Sequence, residues 1–290
     1  MKVALVTTLP SLIENRRIKE EIKALNHGFT LIDLSNFSFN IFGGSLSVKG
    51  LTDQEFNIII TRGIFSSIKP IIVVLLGLRK KGIKIFDNNF LSDQYLINKT
   101  SDLTKMALNK IPVPNTAQSR NFSDYKNLSS YLGFPLVIKS TRMGKGANVF
   151  KISNLNGLYR FIEDAEKHSH EAKNFILQEF IPYKYDLRVL IIGDRVFTMR
   201  RIPAKGEFRA NFSLGGRVEK FDLDEDGLNL AKSALKAVGL EIGGVDLLIT
   251  KDNKKYVLEV NHTAGFVGME KAYNENIGKV FVEYAIANAR

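Results

Sequence analysis

Three oxygen-bearing side chains in the C-terminal part of the chain give its clearest chemical signal: Asp246, Glu259 and Asn261. Glu259 and Asn261 stand at i and i+2 of Leu258-Glu259-Val260-Asn261. On a strand they therefore share one face, while Leu258 and Val260 turn the other way. Asp246 sits in the preceding strand pattern, Gly244-Val245-Asp246-Leu247-Leu248, and the turn Lys251-Asp252-Asn253 is short enough to make the two strands antiparallel neighbours. Three hard oxygens on adjacent strands suit Mg2+, which keeps waters and takes further ligands from nucleotide phosphates. The bland alternative is a polar patch on a solvated sheet face, but carboxylates rarely interrupt apolar strands without a reason.

Two lysines add to this. Lys139 ends the apolar strand Pro135-Leu136-Val137-Ile138, where a cation can point into a cleft, and Lys99 opens a helix ahead of Pro114. Either alone would read as a surface lysine. The turn Thr141-Arg142-Met143-Gly144-Lys145-Gly146-Ala147 follows Lys139 directly, and glycines there let backbone N–H groups approach phosphate oxygens. Hairpins need glycine in any case, so the turn takes its weight from its surroundings. His262, beside Asn261, is a candidate general base; with no partner identified for it, a structural or substrate-contact role is the better reading.

These residues need elements to hold them. Residues 1–95 alternate strand and helix patterns, as in an α/β layer: strands at 3–6, 29–34, 56–60 and 83–86, and helices over 12–25 and 68–78. No glycine-rich phosphate fingerprint follows any of these strands, so this layer reads as scaffold or substrate platform. A second unit, 96–174, contains a helix over 99–109 ended by Ile111-Pro112-Val113-Pro114. Within it follow a helix after Ser123, strands at 136–139 and 149–152, and a helix over 155–168. The third, 175–290, has strands at 175–180, 187–192, 195–201, 244–249 and 256–260. It also has a Gly193-Asp194 hairpin turn, a helix over 227–238 stopped by Gly239 and a C-terminal amphipathic helix.

Composition sets limits. The 290 residues exceed one minimal domain, and 44% apolar with 24% charged residues is ordinary globular composition. No cysteine is present, which excludes disulfides, thiolate metal sites and a cysteine nucleophile. The longest apolar run, 71–78, is far short of the roughly 20 residues of a membrane span. The apolar stretch 3–6 is too short for a signal peptide and reads as an opening strand. A soluble, cytoplasmic protein is expected. The net charge of +11 fits either an anionic partner or a lysine-rich solvated surface. No zinc finger, basic helix or aromatic RNA-binding strand motif is present, so nucleic acid is not the expected partner.

Taken in order, Lys99, Lys139 with its glycine turn, Gln178-Glu179-Phe180-Ile181, Asp186-Leu187-Arg188, Phe208-Arg209-Ala210-Asn211, Asp246 and Glu259-Val260-Asn261 resemble an ATP-grasp enzyme. The match is closest to the RimK-like branch, which adds glutamate or related amino acids to a carboxylate and which the LysX-type ligases share. It covers roughly residues 99–271. The resemblance implies an α/β (α+β ATP-grasp) fold, with an N-terminal parallel-sheet pre-ATP-grasp domain followed by a two-lobed ATP-grasp domain.

The same resemblance implies roles. Lys99, Lys139 and the glycine turn with Gly144 and Gly146 would contact ATP phosphates. Glu179, Phe180 and Ile181 would form the adenine hinge, and Asp186 would bond the ribose. Arg209, Ala210 and Asn211 would meet the reacting phosphoryl or acyl phosphate, and Asp246, Glu259 and Asn261 would hold two Mg2+ or Mn2+ ions. Arg209, Lys139 and Arg188 would be catalytic, although for Arg188 an ion pair with a neighbouring carboxylate is nearly as good a reading. The implied reaction is ADP-forming amide synthesis through an acyl phosphate, joining a small-molecule or peptide carboxylate to an amino acid. Oligomeric state stays open.

Two features depart from the family pattern. Leu214 precedes Gly215-Gly216 where an arginine is usual, and the segment Pro182-Tyr183-Lys184-Tyr185 after the hinge is short. Both bear on substrate choice more than on ATP chemistry. The competing readings are another ATP-grasp peptide or glutathione-type synthetase, and a non-catalytic, synapsin-like nucleotide-binding protein.

Overall fold

The computed structural model describes residues 1–64, 69–93, 95–141, 149–202 and 217–290. Gly144, Gly146, Arg209, Ala210, Asn211 and Leu214 lie outside these residues.

The chain opens with β1 (Lys2–Thr7), α1 (Ile13–Ala24), β2 (Gly28–Asp33), the pair β3 (Phe39–Phe42) and β4 (Ser45–Val48), β5 (Ile58–Thr61), α2 (Lys69–Lys80) and β6 (Lys84–Phe86). β1, β2, β5 and β6 form a parallel sheet, as the family resemblance implies, and their order is β2-β1-β5-β6. Parallel strands need crossovers, and the helical patterns of α1 and α2 supply two of them. Along β1 and β5, Val3, Leu5, Ile58 and Ile60 face one core while Ala4, Val6 and Ile59 face another. Burial on both faces is why these strands read as unbroken apolar runs. The hairpin β3–β4 is not legible in the sequence; its Phe39, Ile41 and Phe42 remain exposed.

Next come α3 (Phe90–Asp93), α4 (Lys99–Leu108), β7 (Thr116–Ala117), α5 (Tyr125–Leu132), β8 (Leu136–Ser140), β9 (Val149–Ile152), α6 (Leu155–Lys167) and β10 (Phe175–Glu179). Four of these strands make an antiparallel sheet in the order β7-β10-β8-β9. A lobe boundary at 174 therefore cuts a sheet: β10 pairs with β8 and β7, so the small-lobe sheet runs to Glu179. Apolar alternation marks β10 as a strand and leaves its partner unspecified.

The remainder is β11 (Tyr185–Ile192), β12 (Arg195–Ile202), β13 (Arg217–Lys220), α7 (Glu225–Val238), β14 (Ile242–Ile249), β15 (Lys255–Asn261), α8 (Val267–Tyr273) and α9 (Ile277–Ala287). Its five strands are antiparallel in the order β13-β12-β11-β14-β15. α7 starts at Asp224, whose carboxylate accepts the Gly227 N–H at 2.9 Å, and stops at the left-handed Gly239. One face of this sheet shares a core with the parallel layer, where Leu190, Ile192 and Phe197 meet Leu5, Ile18 and Phe281. Residues of α4 and α7 cover the other face. Among the described residues no helix is long and apolar enough to cross a membrane.

Candidate active site

A cleft of about 400 Å3, counting space open to solvent, lies where α4, the β8–β10 pair and β15 meet. Lys99, Lys139, Gln178, Leu258, Glu259 and Asn261 are among its lining residues. Lys139 and Gln178 come from the small-lobe sheet and Glu259 and Asn261 from the five-stranded one, so two separately built sheets supply opposite walls.

β14 and β15 are antiparallel neighbours with Asp246 opposite Glu259 and Gly244 opposite Asn261, the arrangement that the short turn predicts. Leu258 and Val260 also line the cleft, and at Leu258 the ladder shifts register, which breaks the strict alternation there. Lys99, at the start of α4, lies 3.5 Å from Glu259. The N-cap Asn98, which accepts the Ser101 N–H at 2.9 Å, fixes that helix start. The Asn261 amide nitrogen donates to the Gly244 carbonyl at 3.4 Å, and its Oδ1 accepts no hydrogen bond among the described residues.

Lys139 donates to Gln178 Oε1 at 2.6 Å. The amide is held in that orientation because its nitrogen donates to Thr116 Oγ1 at 2.8 Å. Burial pushes the Lys139 ammonium down to about 8, with Lys99 adding to the effect and Glu259 opposing it. A lysine so placed gains its charge most readily when an anion arrives.

Asp246 is tied differently. The ladder sets Arg188 opposite Asp246 and Asp186 opposite Arg201, which brings four charges together in the middle of the sheet. Arg188 donates to both Asp246 oxygens, at 2.6 and 2.7 Å, and Arg201 lies 2.9 Å from Asp246 Oδ2. Arg201 Nε also donates to Asp186 Oδ1 at 2.7 Å. Burial pushes the Asp246 carboxyl up, but the two arginines more than offset it and hold it below its ordinary value. At Asp186 burial wins over Arg201, and the carboxyl is raised. Arg188 thus forms the ion pair with a neighbouring carboxylate that one of its two readings expects. Asp186, expected at the ribose, is buried and accepts from Arg201.

At the hinge, Glu179 directs its carboxylate to the Asn115 backbone N–H and side-chain amide, at 2.7 and 3.0 Å. The Phe180 N–H donates to the Pro135 carbonyl at 3.3 Å. Lys151 stands 3.8 Å over the Phe180 ring. The Ile181 N–H donates to no residue among those described. His262, weighed as a base, has Nε2 3.0 Å from Asp102 Oδ2 of α4, a structural pairing.

The donor set fits a hard divalent cation in part. Glu259 and the Asn261 Oδ1 are oxygens on the cleft wall, whereas most acceptor positions of Asp246 are already occupied by guanidinium groups. Among the described residues no three His, Asp or Glu side chains form a metal site by themselves. Phosphate oxygens and waters would have to complete one, as is usual for Mg2+. Sequence reasoning missed Arg201, visible only as half of the basic pair with Arg200, and Asp102, which looks like an ordinary first-turn acid of α4.

The cleft between two antiparallel sheets, lined by two lysines and an acid–amide pair, is that of the ATP-grasp class. A model of the RimK-like ATP-grasp domain matches residues 93–285. The chain is 31% identical over 297 residues to a probable alpha-L-glutamate ligase of Legionella pneumophila, covering 100% of this chain and 97% of the relative. It is 27% identical over 284 residues to the N-acetylaspartylglutamate synthase A of Mus musculus, covering 94% and 73%. The solved structure of the ATP-grasp ligase PsnB complexed with a minimal precursor shares the fold, with a TM-score of 0.74 over 98% of each chain at 20% identity. The chain belongs to the RimK-like ATP-grasp family. It is an ADP-forming ligase that makes a C–N bond.

Proposed function

We propose that this ligase uses ATP to activate the carboxylate of a small molecule or peptide and joins it to the amine of glutamate or a related amino acid. The observation that carries the reading is the cleft in which Lys99 and Lys139 face Glu259 and Asn261. The relatives support the substrate class: one carries the name of a glutamate ligase, another of an acetylaspartylglutamate synthase.

A carboxylate is a poor electrophile. In the first step its oxygen attacks the γ-phosphorus and the bond to the bridging β,γ-oxygen breaks, giving an acyl phosphate and ADP. In the second the amine nitrogen attacks the acyl carbon, the bond to phosphate breaks, and the amine proton passes to solvent. The protein's task is to position reactants and to stabilise charge. Lys139 and Lys99 would place positive charge along the phosphates. The backbone at 179–181 would hold the adenine edge, with the Ile181 N–H, which donates to no described residue, as a donor for it. Glu259 and Asn261, with whatever Asp246 can lend, would hold the divalent cations, two by family resemblance, which neutralise phosphate charge when bound. Arg209, Ala210 and Asn211 carry their roles on sequence motif alone.

The test is incubation with MgATP, pooled amino acids and a panel of carboxylates, with hydroxylamine to trap acyl phosphate and mass analysis of the products. Amide product with matching ADP release is expected. Glu259→Gln is expected to lower kcat by ~10²–10³ without changing the fold. Nucleotide binding with no turnover across the panel would sink the proposed substrate class, and Glu259→Gln at wild-type rate would sink the proposed metal site.

A further inference from the structure

Two buried side chains of the N-terminal layer reach across to the strands that carry Asp246, Glu259 and Asn261. Asn88, two residues after β6, donates one amide hydrogen to the Ile242 carbonyl at 2.7 Å and the other to the His262 carbonyl at 2.8 Å. Its Oδ1 in turn accepts the Ile242 N–H at 3.4 Å. Ile242 is the first residue of β14, and His262 directly follows Asn261, the last residue of β15. The ladder between these strands has its last pair at Gly244 and Asn261, so the Asn88 amide stitches them together just beyond that pair.

Arg62 reaches the same segment two residues further on. It directly follows β5, is 4% exposed, and donates Nη2 to the Ala264 carbonyl at 2.8 Å and Nη1 to Asn15 at 3.3 Å. Burial pulls its guanidinium down to about 10, with Glu14 opposing. It forms no ion pair within 4.0 Å among the described residues, so a buried cation is committed to a main-chain carbonyl and an amide. Both side chains leave the carboxyl ends of neighbouring parallel strands, the edge at which open α/β sheets make their functional contacts.

We infer that Arg62 and Asn88 are positioning residues: the N-terminal layer uses them to clamp residues 262–264, and through that clamp fixes where Glu259 and Asn261 stand in the cleft. The layer is then part of the catalytic apparatus as well as its support. A clamp on carbonyls immediately after the ligand strand acts as outer-shell contacts do, and losing such a contact typically costs 10–100-fold in metal affinity. The inference rests on reading Glu259 and Asn261 as the metal-side residues of the cleft.

The experiment measures ADP affinity of the full chain by calorimetry, with Mg2+ and with EDTA, alongside urea unfolding. Asn88→Ala is expected to lower the Mg2+-dependent gain in ADP affinity by ~10–100-fold and to leave affinity in EDTA unchanged. Asn89→Gly is the control: Asn89 also ties the N-terminal segment across, at the Val238 carbonyl at 3.0 Å, and among the described residues makes no side-chain hydrogen bond to β14 or β15. Its φ of +68° makes glycine the compatible replacement.

An equal fall in Asn89→Gly, or an equal fall with and without Mg2+ in Asn88→Ala, overturns the inference in favour of general loosening. Should Asn88→Ala not give folded protein, Arg62→Lys keeps the charge and gives up the planar fork, and it must lower the same gain. An unchanged gain there also overturns the inference. Glu259→Gln separates the layers of reasoning. If it leaves the Mg2+ gain intact, the metal reading itself falls; if it abolishes the gain while Asn88→Ala and Arg62→Lys do not, only the clamp falls.

Discussion

Replacing Arg201 by methionine removes one cation that serves two buried carboxylates. Its Nε lies 2.7 Å from Asp186 Oδ1 and its Nη2 lies 2.9 Å from Asp246 Oδ2. Taking away one partner of a buried pair costs ~3–5 kcal/mol, because the remaining charge is uncompensated. Asp246 keeps both hydrogen bonds from Arg188. Asp186 is left with no ion-pair partner among the described residues and escapes by binding a proton. Burial already raises its carboxyl, and Arg201 restrains that rise; without Arg201 it climbs further.

A carboxyl raised in the folded state holds a proton that the unfolded chain has released. Stability therefore falls as pH climbs from the unfolded value to the folded one. Wild-type protein stops losing stability at its own folded value, whereas Arg201→Met continues to a higher one. Its deficit widens by up to about 1.4 kcal/mol per pH unit above the wild-type value. Urea unfolding of both proteins at about pH 6 and about pH 8.5 reads this directly, with losses of ~3 kcal/mol expected at the lower pH and ~5 at the higher. A loss identical at the two pH values, or below about 1 kcal/mol, refutes the account of Arg201 as the restraint on Asp186.

Two further outcomes follow from the geometry. With the Lys139 ammonium lowered to about 8 by burial, ADP affinity should be level below that pH and decline above it, with proton uptake on binding. Lys139→Arg, charged throughout, should flatten the profile, and calorimetry in buffers of different ionisation enthalpy detects the proton; a flat wild-type profile contradicts it. Gly193→Ala should cost ~2–3 kcal/mol, because the turn has φ of +55° and a Cβ there would run into the Tyr284 ring. Thermal unfolding measures the loss, and Tyr284→Ala in the same background should recover part of it; additive losses would show that the two do not collide.

Much of this molecule is legible in the residues. Glu259 and Asn261 announce themselves as polar interruptions of an apolar strand, and the three-residue turn fixes their partner strand and so Asp246. Gly239 and Gly82 end helices where their left-handed φ values require glycine. Other parts resist. The hairpin β3–β4 buries Val48 alone and leaves Phe39, Ile41, Phe42 and Leu46 exposed, so burial imposes no alternation for a reader to find. α8 has only seven residues, too few to show a period. Asp186 and Arg201 pair across the hairpin that the Gly193-Asp194 turn closes, but Asp246 meets them because β11 also pairs with β14, a sheet order that no local pattern encodes. Asn88 and Arg62 are single polar residues after apolar strands, and their partners are main-chain carbonyls more than 150 positions away, which have no side-chain signature.

The way the apolar clusters are shared also determines which parts of the molecule can travel. Leu5 and Ile18 from the opening layer interlock with Leu190, Phe197 and Phe281, so that layer and the five-stranded sheet must move as one block. The β7–β10 sheet keeps a separate cluster around Tyr125, Leu136, Ile138 and Leu177, and among the described residues lends just Ile176 to the neighbouring one. Rocking that small sheet as a rigid jaw breaks little apolar contact, and it carries Lys139 and Gln178 with it. Nucleotide would thus enter and leave by displacement of the lysine wall, while Glu259 and Asn261 stay anchored to the larger block.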